Sequence, residues 1–264
     1  MLNNKKTRNM KKTDYDVFIY LVAFAAIQII VLLAGSLLFD TKADSPMGLV
    51  IISATADIIT LILFLWRKWT PVGKTYIQSK PWATLAWSAV AALGVVIPSV
   101  WLQEQMPALP DTAGDVLTKM ISIPGGYFVI ALLAPIVEEV VFRGAILRTL
   151  LSSMQSKWGA ICFTAALFAL IHANPAQMPH AFLMGWLMGW LYMRTGSILP
   201  AVVFHWANNT VAYLIAVAYP GDDMKLVDIF SGNETAVLLS VVFSLCIFIP
   251  ALLQLNIWTK NRGR

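Results

Sequence analysis

Val17–Phe39 reads VFIYLVAFAAIQIIVLLAGSLLF, 23 consecutive residues without a charged side chain. At 1.5 Å per residue such a helix is about 35 Å long, enough to cross a hydrocarbon layer about 30 Å thick. The run is too long for a signal-peptide core, and no A-x-A site follows it, so the segment is expected to be retained. Working outward, runs of the same kind recur at Met47–Trp66, Trp82–Leu102, Gly126–Leu147, Trp158–Ala173, Met178–Met193, Ile198–Tyr219 and Ala236–Ile257. The expectation is an all-α, polytopic membrane bundle of about eight transmembrane helices. The fifth and sixth runs are short, and Asn174-Pro175 and Pro179 mark a turn between them. They can also be read as a tight hairpin that does not fully span, which leaves six.

Composition agrees. The chain is 58% hydrophobic and 12% charged, against roughly 25% charged for a soluble protein. The net charge of +5 sits on no soluble domain, which argues against nucleic acid as a partner. Cys162 and Cys246 fall inside apolar runs and read as small buried hydrophobes rather than a disulfide or metal site. No repeat or linker interrupts the chain, so residues 1–264 are expected to form one domain.

The basic residues set an orientation. With eight spans and a cytoplasmic N-terminus, 15 of the 19 Lys and Arg lie inside. These are Lys5, Lys6, Arg8, Lys11, Lys12, Arg67, Lys68, Lys74, Lys80, Arg148, Lys157, Arg194, Lys260, Arg262 and Arg264. Lys42, Lys119 and Lys225 lie outside, among Asp111, Asp115, Asp222, Asp223, Asp228 and Glu234, and Arg143 lies within a span. This is the positive-inside pattern, and it places both termini in the cytoplasm. Trp66, Trp82, Trp101, Trp158 and Trp258 sit at span ends, as an aromatic belt does.

An ionisable side chain within a span is expensive and marks a functional candidate. Six lie away from span ends: Asp57, Glu138, Glu139, Arg143, His172 and His205. Glu139 and Arg143 are four apart, acid first, so they share a helix face and can pair. Glu138 is turned about 100° away and needs another partner. His205 and Asn209 share a face, as do Phe168 and His172. From the cytoplasmic flanks, Glu138 lies roughly 15 Å deep, His205 roughly 16 Å and His172 roughly 22 Å, so helix tilt can bring them into one layer with Asn209. A carboxylate, two imidazoles and an amide meeting in a dry cavity can activate water. Glu138 can act as general base, and the His205/Asn209 face can stabilise an oxyanion or hold a metal.

Glu138-Glu139-x-x-x-Arg143, Phe168-x-x-x-His172 and His205-x-x-x-Asn209, in this order and each within an apolar run, resemble the motifs of the CAAX protease and bacteriocin-processing (Abi) family of intramembrane endopeptidases. The resemblance covers roughly residues 126–215. It implies an eight-span helical fold and peptide-bond hydrolysis in the membrane, with Glu138 and His172 activating water and His205 and Asn209 completing the site. It implies a membrane-bound peptide or protein substrate, prenylated or of bacteriocin type. Glu139, Arg143 and Phe168 would support the site. The same four residues, Glu138, His172, His205 and Asn209, are the possible ligands of a zinc ion. Asn is an unusual zinc ligand, so a site needing no cofactor is preferred. Short loops and the lack of organelle signals suit a bacterial plasma membrane.

Other readings stay open. The buried ionisable residues could relay protons or ions in a transporter, although paired broken helices and repeats are not evident. An idle immunity or scaffold protein could bind peptide without cleaving it, although such a descendant would be expected to lose site residues. Asp57 reads equally as a supporting partner or a packing hydrogen bond. His180, beside the Asn174–Pro179 turn, reads as a bland interfacial residue. Gly185 and Gly189 form a small-x-x-x-small packing face. Pro135 should loosen its helix by removing a backbone bond to Ala131.

Overall fold

The computed structural model describes residues 2–220 and 224–260, with side chains from Thr13 onward except at residues 14 and 41. The side chains of Lys5, Lys6, Arg8, Lys11 and Lys12, and residues Asp222, Asp223, Arg262 and Arg264, lie outside the described part.

The principal elements are α1 (Leu2–Phe39), α2 (Pro46–Trp66), α3 (Trp82–Glu104), α4 (Gly114–Ile121), α5 (Pro124–Ser153), α6 (Lys157–Ile171), α7 (Met178–Thr195), α8 (Leu199–Ala218) and α9 (Glu234–Thr259). No strand occurs among the described residues. The chain is a helical membrane bundle, and each of the eight expected spans falls on one of these helices. By length and composition, α1 from Tyr15, α2, α3, α8 and α9 can each cross a membrane. The pair α4 and α5, bent by 117° at a short break, adds a sixth candidate. At 15 residues α6 is a shorter apolar helix, with a rise of about 22 Å against a hydrocarbon core of about 30 Å. The short pair α6 and α7 is therefore where eight spans and six differ.

Local chemistry sets the helix ends. Ser45 and Ser156 accept hydrogen bonds from Gly48 N and Gly159 N at the starts of α2 and α6, and Asn233 does the same from Ala236 N for α9. Such caps satisfy N–H groups with no intrahelical partner. At the end of α7 stands Gly196, at φ +64°, the left-handed position that glycine fills without strain.

Small residues let the helices close on one another, as membrane interfaces require. A Cβ at Gly94 of α3 would meet Phe248 N of α9 at 2.7 Å. Gly185 and Gly189 of α7 lie against Ala165 and Ile161 of α6, so the expected small-residue face is a real helix contact. α5 runs through the middle: Val137 and every residue of 139–147 are buried. Elsewhere large apolar side chains such as Leu37, Ile62, Phe243 and Ile257 point outward, as lipid-facing residues do. Cys162 and Cys246 are free and exposed. That corrects their reading as buried hydrophobes: an apolar run in a membrane has an outer face as hydrophobic as its inner one, and the thiols lie on the outer.

The winding of α5 is irregular where the chemistry lies. Phe128–Leu133 and Val140–Leu147 are π-helical, on either side of one α-helical stretch, Ala134–Glu139. Pro135, which has no N–H to return to Ala131, is the second residue of that stretch. Wider π-turns inside helices are typical of functional sites.

Candidate active site

Glu138 and Glu139 are consecutive on α5 and therefore face different surroundings. The Glu139 side chain is fully buried, as is Arg143 one turn on. Arg143 Nη1 donates to Glu139 Oε1 at 2.7 Å, and Nη2 donates to Gly185 O of α7 at 2.9 Å. The guanidinium also lies 4.6 Å from the ring centroid of Phe168 on α6, a cation–π contact strengthened by desolvation. One arginine thus ties three helices together, confirming its pairing with Glu139 and showing what Phe168 supports.

Glu139 has a second partner that spacing along one helix does not reveal. His205 Nδ1 lies 3.0 Å from the same Oε1. An ionised carboxylate only accepts, so Nδ1 carries the proton and donates. That contact fixes the ring, as a carboxylate does for histidines at metal and catalytic sites. His205 Nε2 then faces the other acid, 3.7 Å from Glu138 Oε2. The Glu138 side chain is 22% exposed, which leaves it open to water or substrate.

His172 caps the C-terminal end of α6, where its Nδ1 lies 2.7 Å from Phe168 O. The carbonyl can only accept, so Nδ1 donates and Nε2 keeps its lone pair. The rings of His172 and His205 both pack on Phe168, with centroids 4.9 Å and 5.8 Å away. Phe168 is therefore the wall between the two imidazoles. Asn209 turns its amide to Ile130 O at 3.0 Å, toward the π-helical turn of α5 rather than to His205.

Two further residues join the cluster. His180 Nε2 accepts from Asn208 Nδ2 at 3.3 Å, and the same Nδ2 reaches Asn209 Oδ1 at 3.4 Å. His180 is close enough to His172 and His205 for their charges to act on it. The turn between α6 and α7 is pinned by Asn174 to Asp111 and Thr112, and by Gln103 to Ala176 O. That turn sets His180 against Asn208 of α8, beside the site histidines. The available signal was rarity: it is the third of only three histidines. Asp57 is buried on α2, beside Gln28 and within electrostatic reach of Glu138.

Among the described residues, no three His, Cys, Asp or Glu side chains gather to hold a metal ion. Both histidine Nδ1 atoms are bound to protein oxygens, which leaves Nε2 as the ring nitrogen turned to the site.

Fold and site together define a multi-pass helical membrane protein with a Glu–Arg–His cluster at its core. Residues 121–211, which carry all three motifs, match the family described as Type II CAAX prenyl endopeptidase Rce1-like. Through that segment the chain is similar to the CAAX protease family of membrane peptide hydrolases. It is also similar to an uncharacterized 24.3 kDa protein of Escherichia coli, 29% identical over 167 residues that cover 58% of this chain and 73% of that one. No solved structure matches.

Proposed function

We propose that the protein is a glutamate-type intramembrane endopeptidase that cleaves a membrane-associated peptide, prenylated or of bacteriocin type, with water activated between Glu138 and His172. The observation that carries this is the line Arg143–Glu139–His205–Glu138, with steps of 2.7, 3.0 and 3.7 Å. It holds one carboxylate in place and leaves the other partly exposed. Glu138 takes the proton of the attacking water as general base and passes it to the leaving amine. His172 Nε2, a lone-pair acceptor, orients the same water. His205 with a proton on Nε2, together with Asn209, donates to the tetrahedral oxyanion. In that form Arg143 and His205 balance the charges of Glu138 and Glu139. No step needs a metal.

The test is incubation of purified protein in nanodiscs with a peptide library, read by mass spectrometry. Wild type is expected to give discrete cleavage products and Glu138→Gln none, because Gln keeps the shape but takes no proton. Cleavage retained by Glu138→Gln would sink the assignment. Activity is expected to survive chelator treatment. Loss of activity that stoichiometric zinc restores would replace the metal-free mechanism.

The charge pattern supports cytoplasmic termini, and the short loops suit a bacterial plasma membrane. With Cys162 and Cys246 replaced by Ser, a cysteine at Asp111 should react with an impermeant reagent outside intact cells and one at Lys74 should not. The reverse result would invert the orientation.

A further inference from the structure

We propose that the groove between α3, α7 and α9 is a binding site for one anionic phospholipid, separate from the catalytic cluster. Its volume is about 610 Å³, and its walls are apolar, among them Val95 and Leu102 of α3, Leu187 and Trp190 of α7, and Phe248 and Leu252 of α9. That size suits a single lipid-like ligand. The groove lies across α7 from the catalytic cluster. Met184 lines it, while the next residue, Gly185, gives its carbonyl to Arg143. Its walls offer water few polar partners, so a water filling is unfavourable. At membrane depth an acyl chain is the occupant that matches them.

The headgroup is argued from charge. Three helices end on one side of this groove. α6 begins at Lys157, next to Trp158, which lines the wall. The last turn of α7 holds Arg194. The last turn of α9 places Asn256 in the wall, with Lys260 immediately beyond the helix. Arg194 Nη2 donates to Asn256 O at 2.9 Å and Nε to Thr259 Oγ1 at 3.0 Å, so its guanidinium is held at the mouth. Lys157 and Lys260 are exposed. The acids of the lining helices, Glu104 and Glu234, stand at the opposite ends. A neutral headgroup would leave the exposed ammonium groups of Lys157 and Lys260, at the helix ends beside Trp158 and Asn256, without an anionic partner, whereas basic clusters beside membrane helices select anionic lipids.

The experiment is native mass spectrometry of the full chain in detergent, with phosphatidylglycerol or phosphatidylcholine of identical acyl chains. One retained phosphatidylglycerol per protein is expected, bound roughly thirtyfold more tightly than phosphatidylcholine. Lys157→Gln with Lys260→Gln should bring the two lipids level. Leu187→Trp, which fills the groove, should remove the adduct. Leu253→Trp, on the exposed rim, serves if the first variant unfolds. Equal binding of the two lipids by wild type, or an adduct that survives both tryptophan variants, would overturn the site. None of these readouts depends on peptide cleavage, so the proposal can fail while the protease reading stands.

Discussion

α5 and α9 are two long helices of one bundle, built on opposite plans. α9 has no charged residue after Glu234 and turns much of its surface outward, with Phe243, Ile249 and Leu253 all exposed. α5 carries Glu138, Glu139, Arg143 and Arg148, yet its middle is the most buried stretch of the molecule. In water the charged helix would be the outer one. In a membrane the solvent is hydrocarbon, so polar groups must be satisfied inside the protein while apolar ones can face out. The more polar helix is therefore the central one, and it depends on partners from three others: Gly185, Phe168 and His205.

If that is the right account, the two helices should respond to substitution on different scales. The largest expected loss of stability is at Arg143. Arg143→Ala strands the Glu139 carboxylate, fully buried, and leaves Gly185 O without its donor. Removing one member of a buried ion pair costs about 3–5 kcal/mol. Thermal unfolding in detergent should show that loss, with much of the protein failing to assemble. Glu139→Gln combined with Arg143→Gln should regain part of it, because no charge is then left unpaired. A single Arg143→Ala variant that is fully stable but inactive would move Arg143 from support into the chemistry.

On α9 the one sensitive place is where it meets α3. Gly94→Val puts its Cβ within 2.7 Å of Phe248 N, and backbone cannot swing aside as a side chain can. Overpacking of this kind costs about 1–3 kcal/mol, so the melting temperature should fall, though less than for Arg143→Ala. An unchanged melting temperature would show that α3 and α9 can separate freely.

The contrast also explains what was legible in the sequence. The apolar runs located eight of the nine principal helices and missed the short α4, because lipid-facing residues such as those of α9 announce themselves by hydropathy. The i,i+4 spacing gave the Glu139–Arg143 pair, because both partners lie on one helix. The second bond of Glu139, to His205, lies 66 positions away, and no periodicity along either helix encodes it. The contact of His180 with Asn208 depends on how the α6–α7 turn is pinned by Asp111 and Gln103, which is tertiary information. Depth counted along helices put His172 and His205 near one another but not around Phe168, because rise per residue says nothing of rotation. Whether α6 and α7 span fully was ambiguous for a physical reason: their lengths fall near the limit of the hydrocarbon core.

The smallest effect should come from the lipid face of α9. Phe243 is 67% exposed, so its ring meets acyl chains rather than protein. Phe243→Leu exchanges one apolar side chain for another in a solvent that is itself apolar. The folded chain loses no packing, and the hydrophobic effect that would punish the change in water has no gradient to act across. Substitutions away from packed features stay within about 0.5 kcal/mol, and this one should be indistinguishable from wild type in melting temperature and yield. A loss as large as that of Gly94→Val would mean that Phe243 is covered in the working protein, by a second copy or another membrane partner. The outward plan of α9 would then describe an interface rather than a lipid face.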